Sequence, residues 1–142
     1  MISGPTPFHE RGPLKEIRTI KKFMKTKTPY HFIPNLAGEV AGQLEGSTPE
    51  ANIQGRAIYS DSFTKVLLFP FAAGQALKEH VTPHPAILHV VEGEGEISLG
   101  DDRKDVKAGA WAWIEGGLPH SIQAKTKLVL LLQVFLDRKS RE

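Results

Sequence analysis

The rhythm of apolar and polar positions changes near residue 56. From there to the C-terminus, short runs rich in β-branched, aromatic and leucine residues follow one another: RAIYS, TKVLLFPF, AILHVVE, EISLG, RKDVK, AWAWIE, HSIQA and KLVLLLQVFL. Gly, Asp or Pro separates most of them, the punctuation of strands joined by turns. GDDR at 100 to 103 is expected to close a tight hairpin. Many short strands at this spacing predict an all-β sandwich or barrel rather than a βαβ fold. Pro70 cannot donate to a ladder, so it is expected at an edge or a bulge.

Two runs say more than that they are strands. KLVLLLQVFL has Gln133 as the one polar residue between Leu128 and Leu136. A half-exposed antiparallel strand would alternate, so both faces of this one need cover. One cover is the barrel core; the other is the N-terminal segment or a second subunit. A homodimer pairing barrels through their sheets is therefore expected. Trp111 and Trp113, spaced by two, share a strand face and are expected in the core.

Residues 1 to 55 read differently, as an extension packed on a barrel formed by 56 to 142. Leu14, Ile17, Ile20 and Met24 recur at helical spacing behind Gly12 and Pro13, predicting an amphipathic helix. PYHFIPN is extended, and the Gly-, Ser- and Pro-rich stretch after it is irregular. The extension is expected to lie across the body as a partly irregular cover.

Charge sharpens this division. The chain of 142 residues has a net charge of +2. Residues 1 to 27 carry seven basic residues against Glu10 and Glu16, and the remainder is net acidic. A basic arm raises the question of nucleic acid or anionic membrane. Without an aromatic platform, a docked helix with a solvated basic face is the expected reading, and neither partner is expected. The apolar fraction of 40% and charged fraction of 24% suit one soluble domain. No apolar run is long enough to span a bilayer and the N-terminus lacks a signal-peptide core, so a cytoplasmic location is expected.

Candidate chemistry begins with exclusions. No cysteine is present, which removes disulfides, thiolate catalysis and cysteine-ligated metals. No nucleophile elbow, phosphate loop or dinucleotide fingerprint occurs. Ser60, Ser62 and Ser121 lack a triad context. What remains is HVTPHPAILH, which places His80, His84 and His89 within ten residues; the other histidines are His9, His31 and His120.

These residues resemble the cupin superfamily, small jelly-roll barrels with a metal or ligand site inside. The family's first motif runs Gly, five residues, His-x-His, three or four residues, Glu, six residues, Gly. Here Gly74 precedes His80 by that spacing, and VVEGEGEI supplies a closing Gly93. Its second motif runs Gly, five residues, Pro-x-Gly, two residues, His, three residues, Asn; GAWAWIEGGLPHSIQA supplies Gly109, Gly117 and His120. The likeness covers roughly residues 60 to 136. It departs from the family at Thr82, Ala86, Glu115 and Ala124, so two of the usual four ligands are missing.

The resemblance implies an all-β jelly-roll barrel, here with an N-terminal helix and irregular cover, and retains His80 and His120 as matched ligands. Strand alternation would turn His84 to the face of His80 and His89 away from it, although Pro83 and Pro85 disturb the parity. The site expected is His80, His84 and His120 around a divalent transition metal (zinc, iron, nickel or copper), because imidazole suits these over magnesium or calcium. Glu79 and Glu115 are expected to be solvated carboxylates. Two functions stay open: a metal-dependent oxygenase or isomerase acting on a small organic molecule, or a non-catalytic cupin that binds or senses a small ligand without metal.

Overall fold

In a computed structural model, residues 29–45 and 48–136 are described. The described residues from Pro34 onward form one compact unit, and residues 29–33, which precede it, have no regular secondary structure. The amphipathic helix expected between Leu14 and Met24 lies outside the described residues.

Among the described residues there are nine strands, and each of the runs read from the sequence becomes one of them. They are β1 (Arg56–Ser60), β2 (Thr64–Phe71), β3 (Ala76–His80), β4 (Ala86–Glu92), β5 (Glu94–Leu99), β6 (Asp102–Lys107), β7 (Trp111–Ile114), β8 (His120–Ala124) and β9 (Leu128–Phe135). Two antiparallel sheets result, one ordered β1-β2-β9-β4-β7 and the other β3-β8-β5-β6. Strands that are neighbours in sequence often fall in different sheets, as in a jelly roll.

Alternation explains how these strands share a core. Ala86, Leu88 and Val90 of β4 and Leu128 and Leu130 of β9 point inward, where they meet Phe71, Ile97, Ile114 and Ile122. Leu132 and Val134 continue that inner row and are partly buried against the same cluster. The odd-numbered side chains of β9 point the other way. Val129 packs there with Leu68 and Val40, and Leu131 lies beside them. Val40 belongs to a short 3-10 helix, Ala37–Val40. The second face of β9 thus receives part of its cover from Leu36, Ala37 and Val40.

Two turns are dictated by glycine. Gly100 and Asp101 join β5 to β6, with a φ of 62° at Gly100 alone. A positive φ at the first central position fits a type II′ hairpin turn, which suits the twist of the strands. Gly93 carries the chain from one sheet to the other with a φ of 87°, and a Cβ there would run into the carbonyl of Lys127. Pro70 sits beyond the point where β1 stops pairing, at Leu68, so β2 is locally an edge there.

One expectation fails. Trp111 and Trp113 are 60% and 49% exposed, not core. The cause is register: Ala112 pairs with inward Leu88 and Ile114 with inward Ala86, so the indoles between them project from the outer face. Trp113 stacks against Phe135 there, ring centroids 5.6 Å apart.

Candidate metal centre

The two histidines matched by motif arrive opposite each other because of an irregularity. Along β3 and β8, Leu77 pairs with Ile122 and His80 with His120. That is three steps on β3 against two on β8, so β3 holds one extra residue at Lys78 and Glu79. Leu77 and His80 are an odd number of residues apart, yet both line the same cavity. A bulge can re-aim a side chain in this way. Without it, Glu79 would stand opposite His120.

His80 and His120 lie with ring centroids 4.2 Å apart and planes tilted by 59°. Each ring is held by the same device. The Nδ1–H of His80 donates to the carbonyl oxygen of Lys78 at 3.0 Å. That of His120 donates to the carbonyl oxygen of Leu118 at 2.9 Å. A carbonyl can only accept, so the proton of each neutral ring is fixed on Nδ1. Nε2 is then left as a lone pair in both rings, the tautomer that a metal ion requires.

Apart from Ser121, whose hydroxyl is hydrogen-bonded to that of Ser98, the surroundings of the pair are apolar. Phe69, Leu77, Leu88, Ile122, Leu130 and Leu132 line a cavity of about 20 Å³ around the pair. That volume accommodates roughly one water-sized species and no more. His120 is 6% exposed, and its burial pushes its pKa below the ordinary imidazole value. The Leu118 carbonyl opposes this shift, and the neighbouring His80 reinforces it. A depressed pKa keeps the ring neutral, and so able to ligate, to lower pH than a free imidazole.

The same shift has a consequence for stability. The unfolded chain binds a proton at His120 more readily than the folded chain, so its contribution to stability is fully present above pH 6.5 and lost as pH falls toward the lowered folded value. With a chelator present, denaturant midpoints should therefore drop between pH 7.5 and about pH 5. His120→Gln should flatten that drop. An equal drop in the variant would assign the dependence to other groups.

His84 is not brought to the pair. It sits in the turn between β3 and β4, outside the residues that line the cavity. Pro83 and Pro85 bracket it, and Thr82 accepts from the N–H of Gly117 at 2.8 Å, pinning the turn to the β7–β8 loop. Gly116 backs the same turn: a Cβ there would collide with the carbonyl of Pro83. Among the described residues no group of three or more His, Asp or Glu side chains is placed to hold a metal. His89 lies on the outer face, paired with Trp111 and Leu131, as alternation predicts. Glu79 and Glu115 are exposed, also as expected.

The other buried polar side chain among the described residues, Gln75, has a structural duty. Gln75 is 1% exposed; its Oε1 accepts from Ala72 N–H at 2.7 Å and its Nε2 donates to the Ala51 carbonyl at 2.8 Å. These bonds tie the end of the extension to the β2–β3 turn. The sequence offered no signal for this role, because a glutamine between glycine and alanine reads as a turn residue.

The comparisons agree with this architecture. A family model described as a cupin domain matches residues 67–135. Among solved structures, a cupin superfamily protein from Desulfitobacterium hafniense is similar, at 19% identity and a TM-score of 0.63 over 77% of this chain and 94% of that one. A conserved protein of unknown function from Streptococcus pyogenes matches at 20% identity and a TM-score of 0.62, covering 78% and 92%. KdgF from Halomonas sp. matches at 17% and 0.59, covering 68% and 91%. Among curated proteins, none matches the sequence. Among the described residues no helix is long and apolar enough to cross a membrane. Residues 67–135 thus form a cupin domain, and within it two motif histidines face each other across adjacent strands.

Proposed function

We propose that this protein is a cytoplasmic, metal-binding cupin in which His80 and His120 anchor a divalent transition ion. One observation carries the reading: both Nδ1 protons are committed to backbone carbonyls, which leaves two Nε2 lone pairs in one small apolar cavity. A group of neutral imidazoles favours zinc, iron, nickel or copper. Two protein ligands are fewer than a structural site uses, and the remaining positions would go to water, to an incoming small molecule, or to His84 after movement of its turn. When bound, such an ion would polarise an oxygen or nitrogen of that molecule or activate water.

The residues around the ion would act mainly by exclusion. Phe69, Leu88, Leu130 and Leu132 keep the interior side of the pair apolar. The organic part of a substrate would have to approach from the side of His80, which is only partly buried. No carboxylate lines the cavity, so any proton transfer would fall to the imidazoles or to bound water.

A second reading is favoured by the size of the cavity and its lack of a carboxylate. A metal-free cupin that binds or senses a small ligand would use the same Nε2 atoms as hydrogen-bond acceptors. Elemental analysis of the purified protein, followed by oxygen-uptake assays with small organic candidates, separates the two. Near-stoichiometric metal supports the ion, and its absence after reconstitution with each of the four metals would favour the second reading.

A further inference from the structure

The four strands that end the two sheets are β1 and β7 in one and β3 and β6 in the other. An edge strand offers unpaired N–H and C=O groups to any passing strand, and proteins blunt such edges with charge or irregularity. Three of the four edges follow this rule. β6 reads DRKDVK, β3 reads ALKEH and contains a bulge, and β1 begins with Arg56 and is irregular between Ala57 and Tyr59. β7 reads WAWI, with no charge, no proline and two half-exposed tryptophans.

The polar groups of that edge can be located. Val90 N–H donates to the carbonyl of Ala110 at 2.9 Å. Hydrogen-bonded pairs recur every second residue along an antiparallel ladder, so Ala112 and Ile114 face β4 with their backbone groups. Those of Trp111 and Trp113 face away. No backbone hydrogen bond from another described element reaches either residue.

We propose that β7 pairs antiparallel with β7 of a second copy of this chain, about a two-fold axis at Ala112, joining two five-stranded sheets into one. The strand is self-complementary in that register. Trp111 stands opposite the partner copy's Trp113, and the reverse, so the outward N–H and C=O groups of both tryptophans find partners. The indoles of the two copies fall on the same face as cross-strand neighbours, an arrangement that favours aromatic pairs. Charge agrees as well. The nearest charged residues flanking the strand are Lys107 before it and Glu115 after it. An antiparallel pair brings each toward the opposite sign on the other copy.

The area argues for a reversible association. A tryptophan buries up to about 250 Å², so at 60% and 49% exposure this pair offers about 270 Å² per copy. That is roughly a third of the ~800 Å² a standard interface buries on each side. Flanking side chains such as Phe135 and Ile87 add to it, which places the contact at the small end.

Sedimentation of the full chain tests this over about 10 to 200 µM, the range in which a weak dimer forms and dissociates. The weight-average mass should rise from 15.7 kDa toward twice that value. Trp113→Lys adds a charge to the edge, and Trp111→Pro removes an outward donor while leaving the β4 ladder intact. Each should shift the midpoint at least about tenfold to higher concentration, with circular dichroism unchanged. Leu131→Lys alters the centre of the outer face away from the edge and should leave the midpoint in place. A monomer throughout the range overturns the proposal. So does loss of the dimer in Leu131→Lys with retention in both tryptophan variants, which would assign the contact to face-to-face packing.

Discussion

If His80 and His120 hold the proposed ion, replacing His120 by alanine is expected to remove most of the bound metal, and replacing His80 is expected to do the same. Each contributes one Nε2 lone pair, so neither loss can be absorbed by a surplus ligand. The cost should be on the order of several kcal/mol of metal affinity. His89→Ala should leave metal content intact, because His89 lies on the outer face beside Trp111. His84 decides the coordination number. In the geometry seen, with His84 in the turn and outside the cavity, His84→Ala should keep most of the metal. Loss equal to that of His80→Ala would show that the turn rearranges to make a third ligand. Equal metal content in all four variants would reduce the pair to barrel lining. Elemental analysis after gel filtration reads every arm, and circular dichroism confirms that each variant is folded.

A larger effect on stability is expected at Phe71. It is 0% exposed and belongs to the principal core cluster with Ala86, Leu88 and Leu130. Truncation to alanine removes the ring's burial and leaves a cavity that the barrel can only partly close, at a cost of about 3–5 kcal/mol. Against a total stability of roughly 5–15 kcal/mol, that is a large fraction. For a domain of this size the melting temperature should fall by about 10–20 °C. A fall under about 3 °C in calorimetry would contradict the assignment of Phe71 to the centre of the core.

The strands were legible where an apolar run had to be buried. KLVLLLQVFL shows why: with both faces apolar it belongs mid-sheet, and β9 lies between β2 and β4. β3 escaped because ALKEH has one long apolar residue and a bulge that breaks its alternation. Alternation also could not orient AWAWIE. Period two is satisfied whether the tryptophans or the intervening Ala and Ile face inward, and only pairing with Leu88 and Ala86 selects the latter. For the site, the motif placed His80 and His120 on the page, and their meeting agrees with it. The position of His84 depended on the path through Pro83 and Pro85, where strand parity has no meaning. The tautomer lock was invisible, since it depends on carbonyls that any residue at 78 or 118 would provide.

The extra residue in β3 has a consequence for how this protein tolerates change. Removing Glu79 shortens the run from Leu77 to His80 to two steps, matching the two steps from Ile122 to His120 on β8. The imidazole would then reach His120 through a regular ladder. A fixed-spacing pattern anchored at Gly74 would score that shortened chain as having lost its histidine. A deletion of Glu79 that retained metal content would show that the ladder, and not the count of intervening residues, carries the site from one descendant sequence to the next.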